Sequence, residues 1–161
     1  MRLPDLSRFD SLPRFSDGRI NYSGSKEAAG VYVIIYFEKE LLLVKRSNKV
    51  SSLCGEWFFV CGYLDEAAKS VEEKALEELE EETKIVQEDI RSITHFEQVV
   101  LKNKGTWFID VVIVELKNKS DVVLDWEHDE YRWVSLEEAS LLLRNDGAKQ
   151  VLSLFEKEKK L

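Results

Sequence analysis

The 161-residue chain has little of what staples, breaks or anchors a protein. Its 2 cysteines, Cys54 and Cys61, fit neither a CxxC redox pair nor the spacing of a zinc site, and both are expected to be half-buried free thiols. The 2 prolines, Pro4 and Pro13, lie near the start and break no later element. No apolar run approaches the ~20 residues of a membrane span. The opening MRLPDLSRFDSLPRF has no apolar core of the signal-peptide kind, so a cytoplasmic protein without membrane contact is expected. Positive charge is also short, with 23 basic against 31 acidic side chains and a net charge of -8. Such a surface repels a polyphosphate backbone, which argues against a nucleic-acid polymer as partner. A small anionic substrate would need a local cation, and a bound metal is the obvious source. What is present, 44% hydrophobic and 34% charged residues, suits one globular domain with one core.

Residues 1–27 are polar and turn-rich, with Asp17-Gly18 and Ser23-Gly24-Ser25, and read as an N-terminal extension. It can pack on the domain or on a partner chain, so a homodimer stays open. Residues 28–161 form the domain. Apolar runs at 30–37 and 41–46 around a charged turn read as paired buried strands, with further strands at 57–61, 93–101 and 106–116. The last is apolar on both alternating sets and belongs inside the sheet. Ser70-Val-Glu-Glu73 and Ser135-Leu-Glu-Glu138 match the capping box. They open helices over 70–84 and 135–143, and an amphipathic stretch follows at 148–157. This order predicts an α/β fold, a mixed sheet with helices on both faces.

The helix at 70–84 carries the chemistry. At ~100° per residue from Val71, the apolar side chains Val71, Ala75, Leu76 and Leu79 span roughly 0° to 140°. Glu73, Glu77 and Glu80 fall on the far side and need only solubility to explain them. Glu72, in the first turn, is expected to stay solvated beside the helix N-terminus. Glu82 instead falls at ~20°, inside the apolar stripe, with Glu78 and Glu81 beside it. Like charges at i, i+3 and i+4 destabilise a helix unless a cation neutralises them. The helix alone fits equally a metal cradle awaiting a phosphate and a solvated glutamate-rich surface.

Its surroundings separate the two. Gly55-Glu-Trp-Phe-Phe-Val-Cys-Gly-Tyr-Leu-Asp65 and Glu78-Leu-Glu-Glu-Glu-Thr-Lys-Ile85 together resemble the Nudix box, G-x5-E-x7-R-E-U-x-E-E-x-G-U with U apolar. Upstream, Leu41-Leu-Leu-Val-Lys-Arg46 resembles the strand that precedes the box. Downstream, Trp126-Glu-His-Asp-Glu-Tyr-Arg-Trp133 resembles the segment that closes the domain in this family. Four positions depart from the pattern. Tyr63 and Lys84 stand where glycines are usual, Lys69 where the pattern has Glu, and Glu77 where it has Arg. The last two exchange the charges of a pair that braces the loop against the helix, so the pair survives with reversed polarity.

The resemblance implies an α/β/α sandwich and metal-dependent hydrolysis of a pyrophosphate bond in a nucleoside-diphosphate-linked small molecule, with Mg²⁺ or Mn²⁺ as cofactor. Carried over by position, Glu78 and Glu82 are the principal ligands, Glu81 serves a second ion, and the Gly62 carbonyl completes the shell. Glu127 is the candidate general base and Arg46 the candidate contact to a substrate phosphate; an exposed loop acid and a solvated strand-end arginine are the plainer readings. A Nudix-like module that binds a nucleotide without turnover is the alternative, motivated by the four departures and opposed by the retained carboxylates. Most of the tryptophans Trp57, Trp107, Trp126 and Trp133 are expected in the core, with one or two left to stack on a base. His95 and His128 are expected to be structural or solvated rather than ligands. Asp110 reads as either a cleft residue or a polar residue at a strand edge.

Overall fold

The computed structural model describes residues 2–159. Met1, which opens the extension, and Lys160 and Leu161, which end the domain, lie outside that range. Strands β1 (Glu27–Phe37) and β2 (Glu40–Arg46) form the first hairpin, with Tyr36 opposite Leu41. The single strand expected at 57–61 is two, β3 (Trp57–Phe58) and β4 (Val60–Tyr63). The division at Phe59 has a topological cause: β3 pairs with β2 while β4 pairs with β1, so the chain crosses from one strand to the other. Strands β5 (Ile90–Lys102) and β6 (Thr106–Leu116) make the second hairpin. β6 runs parallel to β1 from Thr106 beside Glu27 to Glu115 beside Tyr36, and so lies between β1 and β5, inside the sheet as its two-sided apolar pattern requires. β7 (His128–Ser135) pairs along β2. Its side chains are mostly exposed, with only His128 and Val134 buried, so it lacks the alternation by which a strand is read from sequence.

Helix α1 (Val71–Thr83) covers one face, where Val71, Ala75 and Leu79 meet Val31, Val33, Ile35, Val112 and Val114. Helices α2 (Leu136–Leu142) and α3 (Asp146–Lys159) cover the other, with Ala139, Val151 and Phe155 among Ile34, Leu41, Leu43, Val111 and Ile113. The result is the expected α/β/α sandwich on a mixed sheet of 7 strands. The N-terminal segment packs on this same domain. Leu6, Phe9, Ile20 and Tyr22 are buried in the α1-side core, and the Tyr22 hydroxyl donates to the Leu64 carbonyl. No helix among the described residues is long and apolar enough to cross a membrane.

Both serines cap their helices: Ser70 Oγ accepts from the Glu73 N–H at 3.1 Å, and Ser135 Oγ from the Glu138 N–H at 3.1 Å. At the other end of α1, Lys84 adopts the left-handed conformation, φ 63° and ψ 13°, that the family pattern meets with glycine. A side chain in that region costs about 1 kcal/mol. Lys84→Gly should therefore raise stability by about 0.5–1 kcal/mol, and urea unfolding of the two proteins will show it; an unchanged or lowered midpoint would show that the left-handed turn is not strained.

Candidate metal centre

The inner edge of α1 holds carboxylates that water barely reaches. The Glu78 side chain is 13% exposed and Glu82 is 1% exposed. Burial pushes the Glu78 carboxyl up to about 7, with the Glu81 charge adding to the shift and Lys74 opposing it. Glu82 is raised well above the ordinary carboxylate range by burial, then by the charge of Glu78, and further by Glu127 and Asp125. Gly62 makes this approach feasible. A Cβ at that position would stand 2.3 Å from Glu78 Cδ, so only a bare backbone lets the Glu78 carboxyl lie against β4.

Two lysines offset part of the charge. Lys69 pairs directly with Glu77, so the exchanged brace is a real contact between the loop and the helix. Lys74, which sequence reasoning missed, is buried with Nζ 3.4 Å from Glu78 Oε1, 3.5 Å from Asp65 Oδ1 and 3.6 Å from Glu77 Oε1. Burial alone would lower its pKa, but Asp65, Glu78 and Glu77 reverse the shift and raise it. The signal was available: Lys74 is four residues before Glu78 on the same helical edge.

The rest of the site arrives from the segment before and at the start of β7. The Glu127 carbonyl accepts the Ser47 N–H at 2.7 Å, and the Trp126 carbonyl accepts Ser47 Oγ–H at 2.9 Å, which ties this loop to the end of β2. Glu82, Glu127 and His128 thereby bring ligand atoms within 4.8 Å of one another, as do Glu77, Glu78 and Glu81. Burial raises the pKa of Glu127, Asp125 adds to the rise, and Arg46 opposes it. Arg46 is near enough for its charge to act on Glu127, with Nε donating to the Ser52 carbonyl at 3.0 Å and a terminal nitrogen 3.9 Å from Cys61 Sγ. Cys61 is a free thiol whose pKa is raised by burial and then by the Glu82 charge, while Cys54 is exposed rather than half-buried.

The expectation for Glu72 is corrected. Glu72 is not solvated: its Oε2 is buried without a hydrogen-bond partner, and its Oε1 lies 3.6 Å from His95 Nδ1 because β5 passes over the first turn of α1. Of the two readings of Asp110 the strand edge is excluded, since β6 lies between β1 and β5, and Asp110 lines a cavity with Arg2, Gln98 and Phe108. It is buried inside the sheet, bonded to His95 Nε2 at 2.7 Å and to Gln98 Nε2 at 3.2 Å. His128 is buried and bonded to Asp125, as a structural histidine is, and it faces Glu82 across 3.4 Å. Trp57, Trp107 and Trp133 pack partly against the core, whereas Trp126 is 60% exposed beside Glu127. Tyr63, in place of a glycine, sits in extended backbone and stacks between Tyr22 at 5.3 Å and Trp107 at 6.3 Å.

A hard divalent cation fits these residues. Both oxygens of Glu82 are buried and lack a hydrogen-bond partner, a state that costs several kcal/mol for a charged group unless a cation or proton meets it. The donor set is mainly carboxylate oxygen, which Mg²⁺ and Mn²⁺ accept.

Comparison with known proteins agrees with this geometry. The NUDIX domain family model matches residues 26–155. No curated protein matches the chain by sequence. Among solved structures, a MutT protein from Methanosarcina mazei Go1 is similar at 27% identity and a TM-score of 0.67, covering 84% of this chain and 96% of its own. The Caenorhabditis elegans Ap4A hydrolase in a binary complex has 22% identity and a TM-score of 0.66, covering 83% and 98%. The NUDIX domain of Shewanella oneidensis NrtR complexed with ADP ribose has 18% identity and a TM-score of 0.69, covering 82% and 88%.

Two measurements test the electrostatics. Carboxyls whose pKa is raised by folding bind more protons in the folded state, so they cost stability as pH rises from their unfolded value of 4.5 through about 7. In EDTA the melting temperature should fall over that window by the equivalent of about 1–3 kcal/mol, and Glu82→Gln should flatten the fall; a flat wild-type curve would refute the buried acidic pair. For the brace, Lys69→Glu should destabilise and Lys69→Glu with Glu77→Arg should recover, with a coupling of up to ~1 kcal/mol for these partly exposed groups. Zero coupling in the double-mutant cycle would mean that the contact carries no energy.

Proposed function

The chain belongs to the Nudix family of pyrophosphohydrolases, and on that premise we propose that it uses Mg²⁺ or Mn²⁺ to cleave a nucleoside-diphosphate-linked small molecule, a nucleotide or an ADP-ribose-like compound. The observation that carries the metal dependence is the buried, unpartnered carboxylate of Glu82 beside Glu78 and the bare backbone of Gly62. In this reading Glu78 and Glu82 are the principal ligands, Glu81 serves a further ion, and the Gly62 carbonyl completes the shell. When bound, the cation polarises a phosphoryl oxygen and lowers the pKa of a water. Glu127 accepts the proton of the attacking water; its raised pKa brings it nearer neutrality, where a general base is most effective. The water oxygen bonds to one phosphorus while the bridging P–O bond breaks in line. Arg46, whose charge acts on Glu127, contacts a substrate phosphate and offsets its charge.

The substrate class draws support from two features. Trp126 is exposed next to Glu127 and free to stack on a base. Two of the structural neighbours concern nucleotide-type ligands, one being an Ap4A hydrolase and the other a domain complexed with ADP ribose.

A panel of nucleoside triphosphates, dinucleoside polyphosphates and ADP-ribose-like compounds, scored for phosphate, pyrophosphate or nucleotide release with each metal, identifies the substrate. Either metal at low millimolar concentration should raise the melting temperature of the wild type. Glu82→Gln should lower turnover by orders of magnitude while the fold persists, because it removes a charged ligand without removing volume. Equal activity in the two proteins would take Glu82 out of the mechanism.

A further inference from the structure

The two acidic groups at the site differ in chemistry. In the group of Glu77, Glu78 and Glu81 every ligand atom is a carboxylate oxygen, and Glu77 is already matched by Lys69 and Lys74. The group of Glu82, Glu127 and His128 contains a nitrogen, and among the described residues no lysine or arginine forms an ion pair with either of its acids. The His128 side chain is fully buried. Its Nδ1 lies 3.2 Å from Asp125 Oδ1, which also accepts the Glu127 N–H at 3.1 Å. An ionised carboxylate only accepts, so the Nδ1 atom carries the proton and Nε2 presents a bare lone pair. That Nε2 has no hydrogen-bond partner and faces Glu82 Oε1, itself unpartnered, at 3.4 Å. Two buried acceptors so placed repel each other unless a positive centre lies between them. A proton on Glu82 could serve one of these atoms, but the second Glu82 oxygen is also buried without a partner, and a Glu127 carboxylate oxygen lies within 4.8 Å of the group.

A carboxylate that holds one ring nitrogen while the other points into a cluster of anionic oxygens is the usual support of a ligating histidine. The 3.4 Å gap also suits neighbouring ligands that each lie about 2.1 Å from one ion. We propose that His128 Nε2 is a direct nitrogen ligand of the cation that Glu82 holds, with the Glu127 carboxylate beside it. Such a position favours a first-row transition ion such as Mn²⁺ over Mg²⁺, which prefers oxygen ligands and retains its waters. The inference rests on the metal-dependent reading above and adds to it the identity of one ligand and the preference that follows.

The test uses the full chain without a histidine tag, freed of metal with EDTA and titrated with up to two equivalents of Mn²⁺. Electron spin echo envelope modulation should show an imidazole ¹⁴N bound to Mn²⁺, replaced by ¹⁵N coupling when the protein is grown with ¹⁵N-histidine. The chain has 2 histidines, so persistence of the signal in His95→Gln assigns it to His128 without altering the buried ring. In His128→Gln the coupling should vanish and the affinity for Mn²⁺ relative to Mg²⁺ should drop about tenfold or more. Mn²⁺ that binds without a histidine nitrogen, or a signal lost in His95→Gln, overturns the assignment while leaving metal dependence intact. Failure of the wild type to bind Mn²⁺ at all overturns the metal-dependent reading and this inference with it.

Discussion

The contact between the Glu78 carboxyl and the bare backbone of Gly62 sets how closely the acidic edge of α1 meets β4. Any side chain at Gly62 would overlap the Glu78 carboxyl and displace it from β4. With the helix seated, Val71, Ala75 and Leu79 fill the core beneath it, and Glu82, which shares their stripe, is carried to 1% exposure. Burying a carboxylate is costly unless it is paired. Lys74 and Lys69 meet part of that cost on the Glu77–Glu78 side, but they do not reach Glu82. The unmet remainder distinguishes this seam from an ordinary helix–sheet packing surface.

The departures from the family pattern are accommodated where they occur. Exchanging the brace charges keeps a loop-to-helix pair and leaves Glu77 low in pKa: burial would raise it, and the contacts with Lys69 and Lys74 outweigh that. Tyr63 needs no glycine because β4 is extended there, and its ring stacks with Tyr22, which belongs to the N-terminal segment. That segment is thereby joined to the residue that follows Gly62, and its Arg2 carbonyl accepts the N–H of Val71 at the start of α1. Lys84 is the one departure that retains its strain, in a left-handed conformation.

The acids beyond the helix depend on the sheet. β7 pairs along β2 from Ser135 beside Glu40 to His128 beside Arg46, with an irregularity between Lys45 and Arg46. This register brings Asp125, Glu127 and His128 to the end of β2 next to α1, and the Ser47 bonds to Trp126 and Glu127 hold them there. A shift by one residue would turn His128 outward. The same logic places a separate polar cluster at the first turn of α1, where β5 and β6 pair and bring His95, Asp110 and Glu72 together.

The amino-acid sequence by itself determined what depends on neighbours a few residues apart. Helix caps at Ser70 and Ser135, strand alternation, the apolar stripe of α1 and the convergence of Glu78, Glu81 and Glu82 all follow from periods of two or about 3.6 residues. The pairing of Lys69 with Glu77 was implied by the resemblance to the family's box, in which those two positions form the brace. Tertiary structure decided the rest. Whether Lys74 is buried, whether Glu72 meets water, and which face of β7 turns toward Glu82 depend on strand order and register. Those in turn depend on contacts between segments far apart in the chain, which no local period records: β2 with β7, β1 with β6, and the N-terminal segment with α1. His128 shows the difference most directly, since an isolated histidine in the sequence becomes the partner of Glu82 only when β7 pairs with β2.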